Sequence, residues 1–241
     1  MPIRFVRFVF TVLRIFRLDR FADRLYWSVL HGFRPTSRWH PEAFRRSFAL
    51  AKKYKTINKG DYYEFGIYKG YALWYAQNIA STYGANAMRF YGFDSFAGLP
   101  EVSGVDAGGD FYTGQFACKK EDVIHNLKTH HAHMDRIFLI EGYFEHSLKE
   151  NIIADYAMRK ATIILVDCDL YASTMEVLRF AKRLFMKHTL ILFDDWNSHS
   201  GGKQSGEQLA FTQFCKDYPT FTFKKMFSYG WHGQVFQITS V

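Results

Sequence analysis

Four strand-like apolar runs in this chain end on acidic residues. Glu64 closes Tyr62-Tyr63-Glu64, Asp94 closes 90–94, Asp167 closes 161–167, and Asp194 closes 189–194 with Asp195 beside it. The spacing predicts strands over 61–67, 89–94, 136–140, 161–167 and 189–194, with helices over 70–83, 121–128, 173–186 and 207–216. Residues 221–227 and 234–238 flank Ser228-Tyr229-Gly230-Trp231-His232-Gly233 and read as a terminal β-hairpin. Alternating strands and helices imply an α/β fold: a mostly parallel, seven-stranded sheet ending in that hairpin, with helices on both faces. Ligands of such open sheets bind in the crevice at the carboxyl ends of the strands. Carboxylates at four strand ends therefore describe one site.

Charge divides the chain. Residues 1–55 hold 13 Lys/Arg against Asp19, Asp23 and Glu42, a net +10 within a total of +8, so residues 56–241 are slightly acidic. This suggests a basic N-terminal helical appendage at 1–55 and a catalytic domain at 56–241. Because the basic residues are not at the strand ends, nucleic acid is not the expected partner. Over 3–18, Arg4, Arg7, Arg14 and Arg17 share one side of a helix, and Phe5, Phe8, Val9, Val12, Leu13 and Phe16 cover the rest. Residues 1–20 thus suit a membrane surface, a partner subunit in a homo-oligomer, or packing on their own domain. Residues 43–54, led by His40-Pro41-Glu42, read as a second helix with proline in its first turn. Three cysteines without metal-ligand spacing, and no apolar stretch long enough for a signal or a span, point to a cytoplasmic protein, with peripheral contact at the inner membrane face on the docking reading. The 25 Phe and 15 Tyr are ascribed first to the core.

Two groups of residues carry chemistry. Glu64-Phe65-Gly66-Ile67-Tyr68-Lys69-Gly70 spans a strand-to-helix turn, where glycine admits a ligand and the helix N-terminus offers free N–H groups. Glu64, Gly66, Tyr68 and Gly70 are its candidate cofactor contacts. Asp94, at the end of the next strand, is placed to accept both ribose hydroxyls of a nucleoside cofactor. Asp167-Cys168-Asp169 and Asp194-Asp195 put two acids at each of two strand ends, an arrangement that repels itself unless a cation intervenes. Mg²⁺ takes oxygen ligands of this kind. Capping of the following helices is the competing reading for all of these acids. The glycine-rich stretch 97–116, with Phe111, Tyr112 and Phe116, suggests a mobile lid. His130, His131 and His133 read as solvated, and His199 and His232 as incidental.

Five blocks, including Glu64–Gly70, Asp94-Ser95-Phe96-Ala97-Gly98-Leu99-Pro100, Glu141-Gly142-Tyr143-Phe144, Asp167-Cys168-Asp169-Leu170-Tyr171-Ala172-Ser173-Thr174 and Asp194-Asp195-Trp196, resemble the macrocin O-methyltransferase family over about residues 60–215. The resemblance implies a Rossmann-like class I methyltransferase fold that uses S-adenosyl-L-methionine and Mg²⁺ to methylate sugar hydroxyls of natural products. It places Glu64 and Gly66 at the methionine end of the cofactor, Asp94 on the ribose, Ser95 and Phe96 beside the adenosine, and Gly142, Tyr143 and Phe144 around the adenine. Asp167, Asp194 and Asp195 become metal ligands, and Asp167 or Asp169 the proton acceptor. Leu170 stands where the related catechol enzymes carry a catalytic lysine, so their base does not transfer. The acceptor is a small-molecule or glycan hydroxyl. Competing functions are a catechol-like or other small-molecule O-methyltransferase and a non-catalytic cofactor-binding or membrane-docking protein.

Overall fold

The computed structural model describes residues 19–107, 109, 111–198 and 205–241. The amphipathic pattern at 3–18, His199 and most of the Gly/Ser-rich stretch at 198–206 lie outside the described residues.

Helix α1 (Asp19–Leu25) runs into a π-helical turn at Tyr26–Leu30, neither anticipated from sequence. Helix α2 (His40–Lys53) has proline in its first turn and buries Ala43, Phe44, Ser47, Phe48 and Ala51, spaced on one face. The alternation then runs β1 (Asp61–Phe65), α3 (Tyr71–Thr82), β2 (Phe90–Asp94), α4 (Lys120–Thr129), β3 (Ile137–Glu141), the short α5 (Phe144–Ser147) and α6 (Asn151–Asp155), β4 (Ala161–Val166), α7 (Tyr171–Ala181), β5 (Leu190–Phe193) and α8 (Gly206–Asp217). Strands β6 (Thr222–Tyr229) and β7 (Gly233–Ser240) form the terminal hairpin. The expected elements are present, with ends shifted by a few residues. The largest difference is α7, which stops at Ala181 rather than 186.

The sheet order is β3-β2-β1-β4-β5-β7-β6, parallel through β5, with β7 antiparallel to both β5 and β6. Strands β1, β4 and β5 are buried at every residue, as expected for parallel strands covered on both faces. Phe65 pairs with Phe93 and Val166, and Val166 with Phe193, so the carboxyl ends of four strands are level. On one face Phe44, Phe48, Leu73 and Phe90 form the core; on the other are Phe65, Phe93, Phe180, Phe193 and Phe214. Tyr63 stacks on Tyr91 at 5.0 Å and Phe65 on Phe93 at 4.7 Å across neighbouring strands. The aromatic richness is thus largely structural. At the opposite edge, fully buried Asp61 binds Arg89 and Arg159, tying the starts of β1 and β2 to the residue pair before β4.

The division at residue 55, set by charge, is not a break in packing. Helix α2 lies in the same core cluster as Tyr62, Leu73 and Ile163. Charge distributes by surface, and the buried face of α2 carries none of it.

Candidate active site

The strand order reverses between β1 and β4, and there a cavity of about 670 Å³ opens at the carboxyl ends. That volume is in the ordinary range for a small-molecule site. Gly66 and Asp167 meet at its floor. The Asp167 N–H donates to Phe65 O at 2.9 Å, and the Gly66 N–H to Phe93 O at 2.9 Å. Gly66 has φ +91°, and a Cβ there would lie 1.8 Å from Asp167 O. Only glycine permits this contact.

Asp94 organises the turn above it. Its Oδ2 accepts the N–H groups of Ile67 (2.7 Å) and Tyr68 (3.0 Å), and its Oδ1 that of Phe96 (2.7 Å). Burial raises its pKa, and these amides oppose the rise. A carboxylate has about four acceptor sites, so three are already used. The expectation that Asp94 receives both ribose hydroxyls is corrected to one remaining site.

Capping does not account for the paired acids. The first amides of α7, at Tyr171 and Ala172, go to Asp106 Oδ1 and Oδ2 (2.8 and 3.3 Å), a buried residue of the 97–116 stretch. The amide of Asp195 goes to Glu207 Oε2 at 2.9 Å. Asp167, Asp169, Asp194 and Asp195 instead all line the cavity. Burial, then the charges of Asp194, Asp195 and Asp169, hold Asp167 well above the usual carboxylate range. Asp169, at φ +61°, is raised by burial and by Asp195, with which it shares a hydrogen bond. Burial also pushes Asp194 up, but His40 and His232 prevail and hold it below its ordinary value.

His40 was missed from sequence. It lies 154 residues from Asp194, yet its Nε2 is 2.7 Å from Asp194 Oδ1. The only sequence signal was its place at the start of a helix whose apolar face returns to the sheet. His232, read as incidental, is corrected to a site residue. Its Nδ1 is 2.6 Å from Asp194 O, and its Nε2 is 2.8 Å from Ser37 Oγ. His130 is also not simply solvated; it stacks on Phe33 at 4.0 Å.

Side-chain ligand atoms of His40, Asp167 and Asp194 lie within 4.8 Å of one another. Asp195, the third expected metal ligand, shares its cavity wall but accepts a hydrogen bond from Ser198 Oγ at 2.6 Å. Buried His40 Nδ1, Glu64 Oε1 and Glu207 Oε1 have no hydrogen-bond partner. Such orphaned atoms beside clustered carboxylates fit a site built for a bound cation and its waters.

Of the residues expected at the cofactor, Gly66, Tyr68, Asp94, Ser95, Gly142, Tyr143 and Phe144 line the cavity. Gly70 and Phe96 do not. Gly70 packs toward Val123, and Phe96 belongs to the core. Glu64 sits behind the wall, fully buried, in a small neighbouring cavity shared with His40 and Asp167. It accepts the Tyr62 hydroxyl at 2.6 Å. Burial, reinforced by Asp94 and Asp194 and opposed by Tyr62, pushes its pKa up to about 8. The folded protein therefore keeps a proton that the unfolded chain releases above about pH 4.3. The contribution of Glu64 to stability falls as pH rises from about 5 to 8. Glu64→Gln keeps the acceptor for Tyr62 and removes this slope. Urea unfolding should show a gain over wild type that grows to a few kcal/mol at about pH 8 and disappears near pH 4.

The stretch 97–116, expected to be a mobile lid, is anchored. Besides Asp106 on α7, Tyr112 Oη donates to Asp23 Oδ2 at 2.8 Å and Gln115 Nε2 to the same oxygen at 3.3 Å. Trp27, Phe111, Phe116 and Trp231 complete the upper walls.

Comparison with known proteins agrees with this architecture. The chain resembles the O-methyltransferase NovP (TM-score 0.67, 18% identity, covering 83% of this chain and 79% of NovP). It is also similar to CalS11, a calicheamicin methyltransferase (TM-score 0.65, 19% identity, 82% and 77% covered). An O-methyltransferase from Bacillus cereus, solved in complex with SAH, aligns with a TM-score of 0.55 at 13% identity over 86% of this chain and 84% of that one. At these identities the likeness establishes the fold. No curated protein matches the chain in sequence. The family model for macrocin-O-methyltransferase (TylF) matches residues 49–214, more than half of the chain and all of the cavity's strand ends, so this protein is a methyltransferase of the macrocin-O-methyltransferase family.

Proposed function

We propose that this protein transfers the methyl group of S-adenosyl-L-methionine to a hydroxyl of a sugar, glycosylated natural product or glycan, with Mg²⁺ held by Asp167, Asp194 and Asp195. The observation that carries this reading is that one cavity joins the Gly66–Asp94 turn to the four-acid cluster. A sugar acceptor is supported by the family and by CalS11, a TDP-rhamnose 3'-O-methyltransferase.

When bound, S-adenosyl-L-methionine supplies an electrophilic sulfonium methyl, and a divalent cation supplies the Lewis acidity that lowers a hydroxyl's pKa. The chain's residues do the rest. Gly66 and Gly142 line the cavity with backbone alone, and Asp94 offers its one remaining acceptor site to a ribose hydroxyl. Tyr143 and Phe144 give the adenine an aromatic border. His40 holds the Asp194 carboxylate and His232 the Asp194 carbonyl, so the orientation of this acid is set before any ligand arrives. Asp167 and Asp169 are the candidate bases: a carboxyl with a raised pKa binds a proton more readily near neutrality. Trp27, Phe111 and Phe116 exclude water.

Asp94→Ala removes the ribose acceptor and the partner of three amides. A charge-assisted hydrogen bond contributes about 1.5–3 kcal/mol, so affinity for S-adenosylhomocysteine should fall at least about tenfold. Calorimetry checks this on protein whose circular dichroism matches wild type; unchanged affinity removes Asp94 from the cofactor site. For the metal, methyl transfer should stop in EDTA and return with MgCl₂. Full turnover in chelator would leave the acids as proton carriers only.

A further inference from the structure

Helix α1 and the turn after it hold one acid against the protein. This residue, Asp23, accepts hydrogen bonds from Trp27 Nε1 (3.1 Å), Tyr112 Oη and Gln115 Nε2. Trp27 packs on His31 at 4.9 Å and on Phe116 at 5.1 Å, and its carbonyl accepts the Tyr68 hydroxyl. The end of α1 and the turn expose apolar side chains. Leu25, Tyr26, Val29 and Leu30 are 44%, 46%, 64% and 64% exposed, four of the eight exposed large hydrophobics among the described residues, within six positions of one another. Arg20, Arg24 and Arg34, all exposed, flank them.

We infer that the face formed by Leu25, Tyr26, Val29 and Leu30 docks on an anionic lipid bilayer. Apolar side chains with exposed arginines close in sequence match the headgroup boundary, where the apolar groups enter the acyl region and cations meet lipid phosphates. Charge selects this occupant. The residues around it in sequence, 1–38, hold eight arginines against Asp19 and Asp23, a net +6, which complements an anionic surface and opposes a second copy of itself across the same face. The face also has a functional position: the turn that exposes Val29 and Leu30 presents Trp27 to the cavity, so a bilayer docked here lies beside the cavity wall. The inference rests on the surface alone and is tested without methyl transfer.

The full-length chain is sedimented with sucrose-loaded vesicles of phosphatidylcholine, with or without about 25% phosphatidylglycerol, at low and high ionic strength. Wild type should co-sediment with the anionic vesicles at low salt, and less at high salt. Val29→Asp/Leu30→Asp should lower the partition coefficient at least about tenfold with an unchanged melting temperature, while Val241→Asp, an exposed apolar site elsewhere, should not. The proposal is overturned if wild type ignores anionic vesicles, or if the double variant binds as wild type does, which would assign binding to the basic segment alone. It is also overturned if the face holds together a dimer that the double variant dissociates without vesicle binding.

Discussion

Asp167→Asn is expected to lower methyl transfer at least about a thousandfold and, at the same time, to raise the melting temperature of the metal-free protein. The two effects have one origin. Asp167 lies among Asp194, Asp195, Asp169 and Glu207, and burial together with their charge holds its carboxyl well above the usual range. Without a cation the cluster repels itself. A neutral amide of the same shape relieves that repulsion, by on the order of 1 kcal/mol, or about 2–4 °C for a chain of this size. The same change removes a carboxylate oxygen from the metal site. Lewis-acid assistance contributes several kcal/mol to such reactions, and about 4 kcal/mol corresponds to a thousandfold in rate. Cofactor affinity should change less than about twofold, because the backbone contact to Gly66 is kept. Thermal melts in chelator and turnover with any acceptor that wild type methylates check both halves. A variant that is less stable and still active would contradict the account.

Gly66→Ala is expected to be a severely damaging single-methyl change. The new Cβ would sit 1.8 Å from Asp167 O at a φ of +91°. Relief requires separating the ends of β1 and β4, where the Asp167 N–H bonds Phe65 O. Left-handed strain and overpacking together cost roughly 2–6 kcal/mol, a large share of the about 5–15 kcal/mol that stabilises a typical domain. Gly84→Ala is the control. Gly84 has a similar φ of +82°, but a Cβ there meets nothing within 4 Å, so the variant should lose only about 1 kcal/mol. Gly66→Ala should melt at least about 5 °C below wild type and bind no S-adenosylhomocysteine detectable by calorimetry. Equal melting of the two variants would show that strain alone, not the contact with Asp167, sets the requirement for glycine.

What could be read from sequence follows from where the information resides. Strands β2, β4 and β5 are almost wholly buried, so they appear as apolar runs, and the acids at their ends mark the edge of the sheet. Asp94, Asp167, Asp194 and Asp195 were legible for that reason. The hairpin was legible from its turn residues. His40, His232 and Glu207 were not, because nothing local distinguishes a histidine or glutamate that will meet an acid 154, 38 or 12 residues away. The cap on α7 illustrates the same limit: local pattern suggests the strand-end acids, yet Asp106 arrives from the β2–β3 crossover, 65 residues earlier. Gly70 and Phe96 show the converse. Both lie in blocks shared with the family, and both serve packing rather than the cavity wall.

The central claim is that the acids at the switch point form a metal site beside a nucleoside pocket. Calorimetric titration of MgCl₂ into the full-length chain loaded with S-adenosylhomocysteine tests it most directly, with wild type compared to Asp167→Asn. The account predicts one saturable site in wild type and its loss in the variant, with S-adenosylhomocysteine still bound to both. No heat of Mg²⁺ binding in wild type, or the same binding in both proteins, would contradict it.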